Sequence, residues 1–147
     1  MDIETCIASQ SSVLMEGALG ERLKREYGLT INGSVAMADL IYSQQGRVAL
    51  ETLWRGYMGI AGKYNLPFLA TTPTRRANKQ QVIQAGYDEA IIEDNVRFLR
   101  KIKETSNIEM YIGGLMGCKG DAYTGDGALN IEEAYDLQHW QSQLFKL

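Results

Sequence analysis

Histidine, cysteine and charge of one sign are all scarce in this sequence, and each shortage removes a class of function. His139 is the one histidine, and it sits inside a helical pattern, away from any strand end. A serine or cysteine triad is therefore left without its base. The two cysteines, Cys6 and Cys118, lie far apart and in no C-x-x-C arrangement. Neither a disulfide framework nor a cysteine zinc site is spelled out, and both are expected as free thiols. A formal net charge of -3, with acids and bases interspersed, gives no electrostatic footprint for nucleic acid or for an anionic membrane surface. No apolar stretch approaches the roughly 20 residues of a membrane span. The opening Met1-Asp2-Ile3-Glu4-Thr5-Cys6 carries acids where a secretory leader carries bases, so a cytoplasmic protein is expected.

What is present suits a folded domain. The 147 residues are 45% apolar and 22% charged, which is enough for one core and argues against disorder. Short apolar runs that end in Gly, Thr or an acid predict three strands buried on both faces: Ser12 to Glu16, Pro67 to Thr72, and Glu109 to Gly114. Between them Leu50, Leu53, Trp54, Tyr57, Met58, Ala61 and Tyr64 recur at spacings of three and four, a helix from about Gln45 to Tyr64 that stops at Asn65 before Pro67. Ile92, Asn95, Leu99 and Ile102 stripe a second helix from about Asp88 to Thr105. Asn130 with Glu133 opens a third through a capping box, running by Leu137, Trp140 and Leu144. A shorter helix is expected over Leu19 to Tyr27, closed by Gly28.

This order makes three strand-helix units, for which a parallel sheet with right-handed crossovers is the default. Three parallel strands leave two open edges and too small a face to cover the helices. The sequence is thus read as a single incomplete domain over residues 1–147. Polar and glycine-rich residues concentrate after each strand, where parallel α/β folds place their chemistry.

In the first of these loops Glu16 precedes Gly17, Ala18, Leu19 and Gly20. A carboxylate at a strand end followed by accessible backbone N–H groups suits an amino acid, the acid taking the ammonium and the amides the carboxylate. Glu16 as a cap of the following helix is the plainer alternative. The second loop, Thr71-Thr72-Pro73-Thr74-Arg75-Arg76-Ala77-Asn78, offers hydroxyls and paired guanidinium groups for a carboxylate or phosphate, or simply solvated arginines. The third, Gly113 to Gly120, is glycine-dense but fits neither the dinucleotide fingerprint nor the phosphate loop. Cys118, in this loop, is as well explained by inert packing as by a nucleophile. Asp121 to Glu132 has the outline of a calcium loop, but Asp126 stands where its turn glycine belongs, and Tyr123 and Gly125 replace ligands.

Taken in order, the three loops resemble the homocysteine S-methyltransferase family. Glu16-Gly17-Ala18-Leu19-Gly20-Glu21 is similar to the family's Asp-Gly-Ala/Gly-Met-Gly-Thr, and Thr71 to Asn78 to its Thr-Thr-Asn-Thr-x-x-Ala-Asn. Gly114-Leu115-Met116-Gly117-Cys118-Lys119-Gly120, then Tyr123-Thr124-Gly125-Asp126, resembles Gly-Ser-Ile-Gly-Pro-x-Gly and Tyr-Thr-Gly-Asp. The resemblance implies a parallel (β/α)8 TIM barrel, of which this chain holds about the first three units. It also implies methyl transfer from a donor such as S-methylmethionine, betaine or a methylated cofactor to the thiol of homocysteine, zinc lowering the thiol pKa. By resemblance Glu16 binds the substrate ammonium, Gly17 and Ala18 lie near its carboxylate, and Thr72 and Thr74 line the same pocket; Arg75 is counted with the substrate site on the second loop's own residues. Glu in place of Asp lengthens the arm by ~1.5 Å, and Glu21, Pro73, Arg75, Leu115 and Cys118 also depart from the family's usual residues.

Family members bind zinc through three cysteines of the later barrel half, which have no counterpart in this sequence. Zinc is therefore expected only in a complete family member, and the methyltransferase activity only when a missing half completes the barrel. The expected partners are a small amino-acid substrate and either a second copy or a complementary barrel portion. A non-catalytic module that associates through its open sheet edge is the alternative. Since Cys6, Cys118 and His139 fall on different elements, metal analysis after dialysis should find no stoichiometric zinc in the isolated chain. One tightly held zinc per chain would contradict the missing-ligand expectation.

Overall fold

The computed structural model describes residues 1–120 and 123–146. Three short strands, β1 (Leu14–Met15), β2 (Phe68–Thr71) and β3 (Met110–Gly113), form a parallel sheet in the order β1-β2-β3. Leu14 lies opposite Phe68, and Phe68 opposite Met110. Each crossover carries two α-helices: α2 (Leu19–Tyr27) and α3 (Gln44–Lys63) between β1 and β2, then α4 (Lys79–Gln84) and α5 (Ala90–Glu104) between β2 and β3. Helix α1 (Ile3–Ser9) precedes the sheet and α6 (Ile131–Leu144) follows it. No helix among the described residues is long and apolar enough to cross a membrane.

Side chains set most of the helix starts. Asp2 accepts from the Thr5 N–H at 2.7 Å, Ser43 Oγ from Gly46 at 2.9 Å, and Asn78 Oδ1 from Gln81 at 3.0 Å. At α6 the Asn130 and Glu133 side chains each meet the other's backbone N–H, at 3.0 and 3.1 Å. Gly28 ends α2 at φ 64, a left-handed conformation in which its N–H turns back to the helix carbonyls. Hydrophobic periodicity finds α2, α3, α5 and α6. It misses α1, α4 and a 3-10 helix at Ala38–Tyr42, because elements of five to seven residues show too little of a repeat.

The strand expectation needs correction at β1 and on burial. Ladder pairing at β1 covers only Leu14 and Met15. Burial is also one-sided. Phe68, Ala70 and Met110 are buried under Leu50, Leu53, Trp54 and Met58 of α3 and Leu99 and Ile102 of α5. On the opposite face Leu69 and Tyr111 are half-buried and Met15 is 46% exposed. Both crossover helices thus cover the same side of the sheet. The start of the chain reaches the other side, where the Tyr111 hydroxyl lies 3.2 Å from the Met1 carbonyl and donates to Glu109 at 2.6 Å.

The connection from α2 to α3 is itself packed. Asn32 Oδ1 accepts from the N–H groups of Ser34 and Val35, and Val35 through Ala38 are buried. Asn95 of α5 donates to the Ala38 carbonyl at 2.9 Å, which fastens this segment to the helix layer. A tight turn follows, so that a Cβ on Gly46 would stand 2.2 Å from the Leu40 carbonyl oxygen, whereas one on Gly56 would meet nothing within 4 Å. Gly46→Ala should therefore cost about 1–3 kcal/mol by overpacking. Gly56→Ala, exposed in the same helix, should add roughly 0.5–1 kcal/mol of stability. Urea unfolding of the two variants checks this, and a Gly46→Ala protein as stable as the parent would show the turn to be loose.

Candidate functional site

The C-terminal ends of the three strands meet in one region, built on side chains that complete the sheet where its ladder stops. After Met15 the chain leaves β2, and the Thr71 N–H, next in line for a β1 acceptor, is met instead by Glu16 Oε1 at 2.8 Å. The Thr71 hydroxyl donates to the same oxygen. Glu16 is not a helix cap: α2 opens at Ala18, whose side chain makes no capping bond. The other carboxylate oxygen, Oε2, is shut off from solvent and has no hydrogen-bond partner. A buried carboxylate oxygen without a donor is costly to leave so.

Gly17 and Ala18 form the turn beside it. Left-handed backbone falls on Ala18, at φ 50, rather than on Gly17. Such a conformation costs an L-residue roughly 1–2 kcal/mol. The turn is held by the Tyr57 hydroxyl, which donates to the Gly17 carbonyl at 2.5 Å. Tyr57 is in turn stacked on Phe68 and covered by the Arg22 guanidinium. Among the described residues no acceptor meets the N–H of Gly17 or Ala18.

Thr72 and Thr74 have a different setting. Both are fully buried, and their hydroxyls close a ring with the third loop. The Leu115 N–H donates to Thr72 Oγ1 at 3.0 Å, and Thr74 Oγ1 donates to the Leu115 carbonyl at 2.7 Å. The two hydroxyls are 2.7 Å apart. Because the Thr74 proton is already committed, the proton between them comes from Thr72. Every proton in the ring is used within it, and its effect is to fasten the loop after β3 to the loop after β2. Asn78 Nδ2 adds a bond to the Cys118 carbonyl at 2.9 Å. Gln141 of α6 brackets the Gly117 peptide unit, accepting from its N–H at 2.6 Å and donating to its carbonyl at 2.9 Å. A Cβ at Gly117 would approach the Arg75 carbonyl oxygen to 2.9 Å, so only glycine allows this contact without a shift.

Glu16, Ala18, Thr71, Thr72 and Arg75 share one cleft of about 370 Å3, walled by Leu19, Met37, Pro73 and Leu115. That volume suits a small metabolite. Of the six residues singled out in the sequence, Gly17 and Thr74 are the two that do not line it. Met37 is a wall that sequence reasoning did not anticipate, since it comes from the packed α2–α3 connection. A wider groove of about 700 Å3, between α4 and α6 and including Ile83, Leu137 and Trp140, has no buried unpaired charged group among the described residues. Cys118 is exposed and Cys6 buried, both as free thiols, and exposed His139 stacks on Tyr135. Among the described residues no three His, Cys, Asp or Glu side chains gather as a metal site. Asp121, the first position of the calcium-loop outline, lies outside the described residues.

No protein-family model, no curated protein and no solved structure matches the chain.

The threonine ring gives a direct test of its own role. Thr74→Val leaves the Leu115 carbonyl and the Thr72 proton unpaired beside fully buried side chains, and should destabilise the fold by about 1–3 kcal/mol. Thr74→Ser keeps the hydroxyl and should retain most of the stability. Equal unfolding midpoints for the valine and serine variants would show that the ring contributes nothing.

Proposed function

We propose that the chain is the opening part of a parallel (β/α)8 barrel of the homocysteine S-methyltransferase type. Working in the cytoplasm and completed by further strands, it transfers a methyl group to the thiol of homocysteine or a related amino acid. One observation carries it: the Glu16 carboxylate stands at the end of β1 with one oxygen tied to Thr71 and the other buried without a donor. An ammonium group supplies the missing donor. The sheet supports the barrel assignment, because strands in sequence order with both crossover helices on one side continue naturally into a closed barrel. A doubly wound sheet instead reverses its strand order and covers both faces.

The zinc that the resemblance implies is assigned to the completing part, where family members carry its three cysteines. This chain's share is to bind and orient the amino acid. Glu16 holds the ammonium, Ala18 lines the same cleft, and the threonine ring keeps the second and third loops at the spacing the cleft needs. A second reading, a non-catalytic module that associates through its sheet, is favoured by the free edge of β3 and by exposed Met15 and Met116.

Fusion of the chain to the later strands of a homocysteine S-methyltransferase separates the two. The fusion should form methionine from homocysteine and S-methylmethionine, and Glu16→Gln should weaken homocysteine binding by roughly 30-fold or more, about 2 kcal/mol. Glutamine keeps the acceptor for Thr71, so folding is preserved while the charge is lost. A folded fusion that binds homocysteine equally well with Glu16 or Gln at this position would remove the ammonium site. A folded fusion without methyl transfer would favour the non-catalytic module.

A further inference from the structure

The cleft is lined by charges of both signs. Glu16 brings a carboxylate from the end of β1, and Arg75 a guanidinium from the turn after β2. Among the described residues Arg75 forms no ion pair. The acid whose field reaches it is Glu21, which is matched already on its own helix: Lys24 pairs with it, and Arg25 lies 3.6 Å away. Lys24 first, then Arg25 and Arg75, hold the Glu21 carboxyl below its usual range. Three cations therefore share one acid, Glu21, which lines the cleft together with Arg75. Glu16 keeps a carboxylate oxygen without a donor. Leu19, Met37, Pro73 and Leu115 form an apolar wall.

We infer that Arg75 is the carboxylate anchor of this cleft, which takes a zwitterionic α-amino acid with its ammonium on Glu16 and a short uncharged side chain against the apolar wall. This rests on the ammonium role given to Glu16 above. It replaces the backbone contacts of Gly17 and Ala18, which the family resemblance implies for the carboxylate, by a charged one. A guanidinium grips a carboxylate through two parallel hydrogen bonds and stays ionised throughout the physiological range. An amine without a carboxylate leaves Arg75 unmatched, and an acid without an ammonium leaves Glu16 Oε2 unmet. Arg75 is thus a specificity residue, selecting for both charges at once.

The test is an NMR titration of the 147-residue chain under reducing conditions with three probes. They are L-homocysteine, 3-aminopropanethiol, which lacks the carboxylate, and 4-mercaptobutanoate, which lacks the ammonium. Homocysteine should bind most tightly and shift the amide signals of Gly17, Ala18 and Thr72. Arg75→Gln should weaken homocysteine by roughly 10- to 100-fold and leave 3-aminopropanethiol unchanged. Arg75→Lys should recover part of the loss, and Arg76→Gln, outside the cleft, should match the parent. If Arg75→Gln binds homocysteine as the parent does while Glu16→Gln does not, the anchor is overturned and the ammonium site stands. If Glu16→Gln binds homocysteine normally, or the parent holds 4-mercaptobutanoate as tightly as homocysteine, the zwitterion fails together with the ammonium site. Absence of homocysteine shifts in the parent likewise overturns both. Should Arg75→Gln fail to fold by circular dichroism, the three-probe order on the parent and the Arg75→Lys titration decide.

Discussion

Backbone N–H and C=O groups at the end of a parallel sheet need partners as much as those inside it, and a ladder only two pairs long at β1 cannot supply them. In this chain loop side chains take over. Glu16 accepts from Thr71 where the β1 backbone has turned away, and Thr72 and Thr74 meet both backbone groups of Leu115. The strand ends are thereby kept together without long strands. A consequence for chemistry is built in: the tie that satisfies Thr71 also fixes one carboxylate oxygen and aims the other inward. Structure and binding are served by the same side chain, so substitutions at Glu16 separate them only when an acceptor is kept.

The second organising feature is the asymmetry of the sheet. One face carries the hydrophobic core, with Trp54, Phe68 and Leu99 fully buried, each worth roughly 1.5–3 kcal/mol or more of transfer free energy. The other face is half-open at Met15, Leu69 and Tyr111. A second cluster of Val35, Ala38, Ala77, Val82, Ile91 and Ile92 stands beside the core and holds the α2–α3 connection against α4 and α5. The wall residue Met37, between Val35 and Ala38, packs instead in the main core. The pocket's shape therefore depends on a segment that contributes no strand and little regular helix.

Much of this was legible in the sequence, and the failures have physical causes. The helices at Leu19, Asn130 and along the Leu50–Ala61 stripe follow from periodicity and caps, because tertiary packing and local preference agree there. The capping role of Asn78 was hidden because the residue also fitted a loop pattern, although an Asn before Lys79 is an ordinary helix start. The strand at Ser12 to Glu16 looked longer than it is: apolar residues show which stretch is buried, but not where a side chain replaces the ladder. Thr72 and Thr74 were visible as hydroxyls at a strand end, yet only the coordinates reveal that they bond to each other and to Leu115. Arg75 was visible as a charge, while its standing outside the ion pairs of the described residues depends on how Lys24 and Arg25 fold back onto Glu21, which composition does not tell.

The unequal ladders also leave the strands unequally supported. Pairing β2 with β3 closes a loop of about 40 residues, and pairing β1 with β2 one of about 50, a difference in closure entropy of only a few tenths of a kcal/mol. Pair number decides instead: four residue pairs form between β2 and β3, two between β1 and β2. β1 is therefore the strand with the least backbone pairing in the sheet, and Glu16 is carried at its end. The cleft thus hangs on the part of the sheet that its ladder supports least.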